Sequence, residues 1–197
     1  ETALIEKNDS LKSVAYEHFR KSGRKGFPIV RSNAVQALDD ADSLLSEKGY
    51  RPEIVFFDLP GTLKSDGVIK TLSQMDYIFT PVSADRFVVE SALQFVMMFN
   101  DNLVTTGLAK TKDISLFWTM VDGREKTGLY DLYGKLFAEN NFRVLDTRLP
   151  DSKRFRREPS DDRKSVFRST ILPPDASMLK GSRIRELSEE ICSIING

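Results

Sequence analysis

Short apolar runs alternate with amphipathic helical stretches along most of this chain, and this alternation narrows the folds open to it more than any other feature. The clearest run is residues 54–57, four large apolar residues between Pro52 and Asp58. Such a run is typical of a parallel strand that is buried on both faces. Strands that alternate with longer helices form βαβ units. We therefore predict an α/β fold with a mostly parallel, doubly wound sheet and helices on both faces.

The other elements are predicted from hydrophobic periodicity. Strands are predicted at residues 27–30, 77–82, 114–118 and 144–145, and helices at 3–22, 34–45, 68–72, 85–104 and 126–138. Residues 149–174 are rich in charge and lack periodicity, which indicates a loop region. A last helix, which we expect to pack against the sheet, carries the apolar stripe Ile184, Leu187, Ile191, Ile194 and Ile195.

Composition excludes several classes of function. The 197 residues carry 29 Lys and Arg against 29 Asp and Glu, so the chain is not a generally basic nucleic-acid binder. One Cys and one His exclude a disulfide scaffold and a Cys/His zinc site. We interpret Cys192 as a small buried hydrophobe, His18 as an exposed structural residue and Trp118 as core or pocket lining.

No membrane partner is predicted. The longest strongly apolar stretch, residues 87–99, is shorter than the roughly 20 residues that a membrane span needs. No signal peptide or lipidation motif is visible. We expect a cytoplasmic protein whose function depends on a site.

Asp58 follows the run at 54–57 directly, where ligands of open α/β sheets bind. An Asp in this place has the form of a Walker B carboxylate, which holds Mg²⁺ because this ion takes hard oxygen ligands. Gly61 would then bring a backbone N–H near the γ-phosphate. Alternatively, Asp58 caps a turn and Pro60 and Gly61 only form a type II turn. The residues by themselves leave both interpretations open.

A Walker B carboxylate works with a phosphate cradle, G-x-x-x-x-G-K-[ST], and residues 1–197 contain no such motif. The nearest imitation, residues 128–135, has one residue too many between its glycines and falls inside a predicted helix, so we reject it. We expect that the phosphate-binding element is either absent by nature or lies upstream of Glu1.

Four stretches of sequence carry a family resemblance. They are residues 55–62 (VFFDLPGT), 75–86 (MDYIFTPVSADR), 121–127 (VDGREKT) and 167–175 (FRSTILPPD). Together they resemble the ParA/MinD family, and more closely the ParA-like proteins, often labelled TraA, of conjugative transposons. The likeness runs from about Phe27 to the C-terminus.

The resemblance implies a SIMIBI-class P-loop ATPase fold that binds Mg²⁺ and ATP and forms an ATP-dependent dimer. Asp58 matches the Walker B carboxylate, which is the catalytic and metal-binding position, and Pro60 and Gly61 match the γ-phosphate-sensing turn. Pro150 and Asp151 match the segment whose backbone lies against adenine. Thr119 stands where many members have an adenine-reading Asn, and a hydroxyl cannot reproduce the paired donor and acceptor of an amide.

The resemblance also implies an N-terminally incomplete chain. We interpret residues 1–197 as a single ParA-like α/β domain without its Walker A segment, and we expect it to bind no Mg²⁺ or ATP and to have little ATPase activity. The missing strand would lie between residues 54–57 and 77–82 and leave two apolar edges, which natural proteins avoid. We expect these two strands to pair directly, or a homodimer or segment exchange to cover them.

A basic cluster is the candidate nucleic-acid site. Its members are Lys153, Arg154, Arg156, Arg157 and Arg168. The resemblance implies nonspecific DNA binding through basic residues in the C-terminal half of the chain, by contacts with backbone phosphates. The alternative is a solvated loop whose acidic neighbours neutralise it.

Two functions therefore stay open. The first is a ParA-like ATPase of a conjugative transposon, which acts in DNA partition or conjugal transfer with a centromere-binding or conjugation protein as partner. The second is a nucleotide-independent interaction or regulatory module, a pseudo-ATPase, of the conjugation machinery. The residues leave undecided whether the chain is an enzyme.

Overall fold

The computed structural model describes residues 29–47, 51–124, 128–156 and 176–197. The helices are α1 (Ala37–Ser46), α2 (Val68–Leu72), α3 (Arg86–Phe99), α4 (Leu129–Glu139), α5 (Ala176–Leu179) and α6 (Ile184–Asn196). The strands are β1 (Tyr77–Val82), β2 (Asp113–Trp118) and β3 (Arg143–Val144). A π-helical segment, Asn100–Val104, continues α3, and a 3-10 turn covers Lys153–Arg156.

The chain divides into two compact units. The sheet unit comprises Val30–Trp118 and Lys126–Asp146, and the terminal unit comprises Glu1–Ile29, Thr119–Glu125 and Thr147–Gly197. That the whole chain is one ParA-like domain stays a prediction.

The sheet is parallel, in the order β1-β2-β3. Tyr77 to Val82 pair in register with Asp113 to Trp118, and Ser115 and Leu116 pair with Arg143 and Val144. α3 connects β1 to β2 and α4 connects β2 to β3, so two successive βαβ units build this part of the fold. The predicted α/β class is confirmed, whereas the larger doubly wound sheet stays a prediction.

One face of the sheet forms the core of the sheet unit. Side chains alternate between the two faces of a strand, which places Ile78 and Val82 of β1 beside Leu116 and Trp118 of β2. All four are buried, together with Val89, Ala92, Val96 and Phe99 of α3 and Tyr130, Tyr133 and Phe137 of α4. On the opposite face, Tyr77, Phe79 and Phe117 are only half-buried.

Local signals explain where α3 begins and ends. The Asp85 carboxylate accepts a hydrogen bond from the backbone N–H of Val88 at 3.1 Å, which caps the first turn. At the other end, the π-helical segment carries an i to i+5 bond from Thr105 N–H to the Asn100 carbonyl at 2.9 Å. Gly107 then takes a φ of 73°, and this left-handed residue ends the helical path.

The prediction of a strand at residues 54–57 is wrong. The segment is irregular and pairs with no strand among the described residues, and the Phe56 side chain is 77% exposed. An apolar run predicts that a segment is suited to burial, but a strand also needs a neighbour to satisfy its backbone groups. Direct pairing of this segment with β1 is therefore not observed, and homodimerisation or segment exchange stays a prediction.

Other predicted elements agree with the structure to within a few residues. The helices over 34–45, 68–72, 85–104 and 126–138, the strands over 77–82, 114–118 and 144–145 and the last helix are all present. The strand predicted at 27–30 is not formed over Ile29 and Val30. Its first two residues, the helix over 3–22 and His18 lie outside the described residues.

Two predictions about the last helix meet different outcomes. Cys192 is exposed, so its interpretation as a buried hydrophobe is wrong. The residues of the apolar stripe are half-buried, and the Glu190 carboxylate accepts a hydrogen bond from the Thr147 backbone N–H at 2.9 Å. This bond ties α6 to the segment after β3 within the terminal unit, while packing of α6 against the sheet stays a prediction.

Candidate functional site

The loop that follows β2 is joined to the segment that follows β3. The Val121 backbone N–H donates to the Leu149 carbonyl at 3.0 Å, and the Asp151 N–H donates to the Val121 carbonyl at 2.9 Å. Val121 and Pro150 thus form an isolated parallel bridge. These bonds hold the loop that begins at Thr119 against the segment that contains Pro150 and Asp151, which is distant in sequence.

A forked ion pair stabilises the same loop. The Arg124 backbone N–H and Nε each donate to Asp122 Oδ1 at 3.0 Å, and Arg124 Nη2 donates to Oδ2 at 2.9 Å. These hydrogen bonds lower the pKa of Asp122 from 3.8 to about 2, and those from the Arg124 side chain have the largest effect. The same contacts raise the pKa of Arg124, with a smaller attraction from Asp151. Both charges are therefore present at neutral pH.

We expect the Asp122 carboxyl to titrate near pH 2 in the folded protein. Because the folded pKa lies below the unfolded value, the ion pair stabilises the fold fully above about pH 4 and loses its effect as the pH falls towards 2. Carboxyl ¹³C NMR of the wild type and of Arg124→Gln measures this directly. In Arg124→Gln the pKa should rise towards 3.8. An unchanged pKa would show that Arg124 does not set it.

Met120 is the residue of this loop that sequence analysis missed. Its φ is 53°, in the left-handed region, and its side chain is 58% exposed. Left-handed backbone is expected at Gly, Asn or Asp rather than at a long apolar residue. No signal in the sequence could have located it, because nothing in the composition of a loop reveals the φ of a methionine.

The residues predicted to bind phosphate and metal belong to the sheet unit. Asp58, Pro60 and Gly61 lie in the irregular segment before α2, and all three are exposed. A Cβ added at Gly61 would meet no atom within 4 Å, so the backbone there is open to approach by a ligand. Within the described residues, no group of three or more His, Cys, Asp or Glu side chains could hold a metal ion.

The structure describes only part of the basic cluster. Lys153 is exposed in the 3-10 turn, where the Phe155 N–H donates to the Ser152 carbonyl at 3.0 Å. The side chains of Arg154 and Arg156, and the residues Arg157 and Arg168, lie outside what is described. DNA binding by this cluster stays a prediction.

Comparison with known proteins found no matching family model, curated protein or solved structure. Among the described residues, no helix has both the length and the apolar composition that crossing a membrane requires.

Proposed function

We propose that this chain is a ParA-like member of the P-loop ATPases and acts in DNA partition or conjugal transfer of a conjugative transposon. The observation that supports the proposal best is the bridge between Val121 and Pro150. It joins the loop that follows Thr119 to the segment of Pro150 and Asp151, and the resemblance assigns these three residues to the nucleobase.

The residues present fit a nucleobase in part. The backbone of Pro150 and Asp151 offers a fixed edge because Asp151 is held in the bridge. The Thr119 hydroxyl can donate and accept hydrogen bonds at the rim of a planar base, but it makes fewer contacts than an amide does. The base subsite would therefore select only weakly among bases.

This chain supplies fewer of the residues that would bind the metal and the phosphates. Asp58 would hold Mg²⁺, which needs only one or two protein carboxylates when phosphates supply further oxygens. That ion would neutralise phosphate charge. Residues 1–197 contain no Gly-rich phosphate cradle, whose backbone N–H groups normally supply much of the attraction for a triphosphate. The sequence alone predicts no binding of Mg-ATP by this chain. The fixed backbone edge at Pro150 and Asp151 leads us to propose weak binding instead, with millimolar rather than micromolar affinity.

Titration of ¹⁵N-labelled protein with Mg-ATP tests the proposal. We expect chemical-shift changes at the amides of Thr119, Val121 and Asp151, with saturation only in the millimolar range. Magnesium tripolyphosphate, which lacks the base, should leave these amides unchanged. If Mg-ATP at millimolar concentration shifts none of the three amides, the proposed base subsite is wrong.

A second candidate function is a nucleotide-independent interaction module of the conjugation machinery. Exposed apolar residues at Ile54, Val55 and Phe56, next to Asp58, favour it because a patch of this kind is typical of a protein-binding surface. The same titration separates the candidates. If the protein is folded and Mg-ATP leaves its amide spectrum unchanged, this result would support the interaction module over the ATPase.

A further inference from the structure

Residues 54–57, the apolar segment, have the composition of a strand and the exposure of a binding surface. They are Ile, Val, Phe and Phe, which are residue types enriched in strands. Ile54, Val55 and Phe56 are 39%, 42% and 77% exposed, and no strand among the described residues pairs with the segment. Contiguous apolar exposure of this kind marks an interaction surface.

The sheet has an edge that a short strand fits. β1 pairs with β2 along one side, and no strand within the described part of the chain pairs with its other side. Such an edge is a template for a further strand. Pro81 has no N–H, which is typical of an edge strand and limits an added strand to the part of β1 before it. The backbone from Ile78 to Thr80 is therefore the part of the edge that can accept a strand.

The charges at the two ends of β1 complement those at the two ends of the apolar segment. Glu53 and Asp58, which flank the segment, are both exposed. Lys112 lies at the N-terminal end of β1, with its Nζ 5.7 Å from the centroid of the Tyr77 ring. Arg86 follows the C-terminal end of β1 as the first residue of α3. A carboxylate at each end of the segment therefore meets a cation at each end of the edge, in either strand direction.

Both cations have a carboxylate neighbour and can take another. Lys112 Nζ lies 3.2 Å from Asp76 Oδ1, and Arg86 Nε lies 2.6 Å from Glu90 Oε1. The side chains of Lys112 and Arg86 are nevertheless 64% and 77% exposed, and ammonium and guanidinium groups each have several N–H donors. Ion pairs at the rim of an interface contribute mainly to orientation and association rate.

One chain carries both the apolar segment and the edge but does not join them. The connection between them, residues 58–76, contains α2, which is tied to the segment before α1 by the hydrogen bond from the Thr71 hydroxyl to the Ala34 carbonyl at 2.8 Å. A second copy of the chain presents the same edge and the same segment, so it can satisfy both at once.

We propose that the apolar segment of each copy pairs with the β1 edge of a second copy. The exchange is reciprocal and gives a closed two-fold dimer in which every contact occurs twice. It needs no nucleotide, and in this it goes beyond the ATP-dependent dimer that the resemblance implies.

Sedimentation equilibrium of the nucleotide-free protein over a concentration series tests the dimer. We expect the mass to rise from one chain to two. Phe56→Ala should raise the dimer Kd about 100-fold, because each of the two Phe56 side chains in the dimer contributes about tenfold through the apolar area it buries. Leu132→Ala is the control, because Leu132 is 61% exposed on α4, and it should leave the Kd unchanged.

Disulfide cross-linking between single-cysteine chains tests which strands meet. Cys192 is exposed and is first replaced by serine. Chains with Val55→Cys or Phe56→Cys are then mixed with chains that carry Thr80→Cys. We expect one of the two mixtures to form a disulfide between chains, because successive side chains of a strand point to opposite faces of the sheet.

Several results would overturn the inference. A mass of one chain at every concentration excludes the dimer, and a mass of two chains that appears only with Mg-ATP assigns it to the nucleotide instead. If Leu132→Ala weakens the dimer as much as Phe56→Ala, the apolar segment does not form the interface. A dimer that gives no disulfide in either mixture, or a chain with both cysteines that forms its disulfide only within itself, excludes the exchange.

Discussion

Replacement of Gly67 by alanine is expected to lower the free energy of unfolding by about 3 kcal/mol. Gly67 has a φ of 83°, and a Cβ there would lie 2.6 Å from the Ala34 carbonyl oxygen and from the backbone N and Cα of Val35. These neighbours are backbone atoms, which cannot turn aside as a flexible side chain can. Both the left-handed conformation and the close contact therefore oppose any side chain at this position.

The same contact explains why the segment before α1 lies against α2. The Thr71 hydroxyl, which is fully buried, donates a hydrogen bond to the Ala34 carbonyl at 2.8 Å. Asn33 accepts hydrogen bonds through its side chain from the N–H groups of Val35 and Gln36 and so turns the chain into α1. Alanine at 67 would force these segments apart and strain the Thr71 bond.

Urea unfolding of three glycine variants measures the effect and separates its causes. Gly107 has a similar left-handed φ of 73°, but there is open space for a Cβ. Gly107→Ala should therefore lower the free energy of unfolding by only about 1 kcal/mol. Gly61→Ala has neither restriction and should change stability by less than about 0.5 kcal/mol. A cost for Gly67→Ala no greater than that for Gly107→Ala would show that the close backbone contact is absent in solution.

Truncation of Phe137 to alanine is expected to destabilise the protein by about 3–5 kcal/mol. Phe137 is fully buried and packs on Trp118, with ring centroids 5.6 Å apart. The rings of Tyr130 and Tyr133 also pack on this indole, with centroids 5.1 and 6.4 Å from its own. The variant would leave a cavity beside the indole that its rigid aromatic neighbours cannot fill.

Leu132→Ala is the matched control, because Leu132 lies on the same helix and is 61% exposed. It should change stability by less than about 0.5 kcal/mol. Trp118 is the only tryptophan, so its fluorescence should move to longer wavelength in Phe137→Ala as water reaches the indole. If both variants lowered the free energy of unfolding equally, the burial of Phe137 against Trp118 would be contradicted.

Much of the sheet unit could be predicted from the sequence because its elements carry local signals. The apolar face of α3 repeats with helical period, and Asp85 stands where a cap is required. β1 and β2 are apolar runs between turn residues, and their parallel pairing follows from the helix that connects them. Each of these predictions needs only residues that are close together in the chain.

Two of the wrong predictions share one physical cause. Residues 54–57 have the most strand-like composition of the chain, yet no strand among the described residues lies beside them. Cys192 sits next to apolar residues on α6, yet faces solvent. Hydrophobicity shows that burial would be favourable, but another part of the fold must supply the surface that buries a residue.

The candidate site shows the same division between sequence and structure. The resemblance gave Thr119, Pro150 and Asp151 one by one as expected site residues, whereas the bridge that joins Val121 to Pro150 appears only in the structure. The fork between Asp122 and Arg124 and the left-handed Met120 had no signal of their own, because both depend on backbone angles that the loop adopts only when its two ends are held.

The sequence by itself determined the α/β class, the order of helices and strands between residues 68 and 145, and the exclusion of a disulfide scaffold and of a Cys/His zinc site within residues 1–197. Hydrophobic periodicity depends only on residues that are close together in the chain, and residue counts depend on no contact at all. Both can therefore be known before the chain has folded. Only the tertiary structure decided which apolar runs pair, which face of the sheet is buried and which loops are joined by backbone hydrogen bonds. Those choices depend on neighbours that are distant in sequence and on backbone hydrogen bonds that every residue type can make.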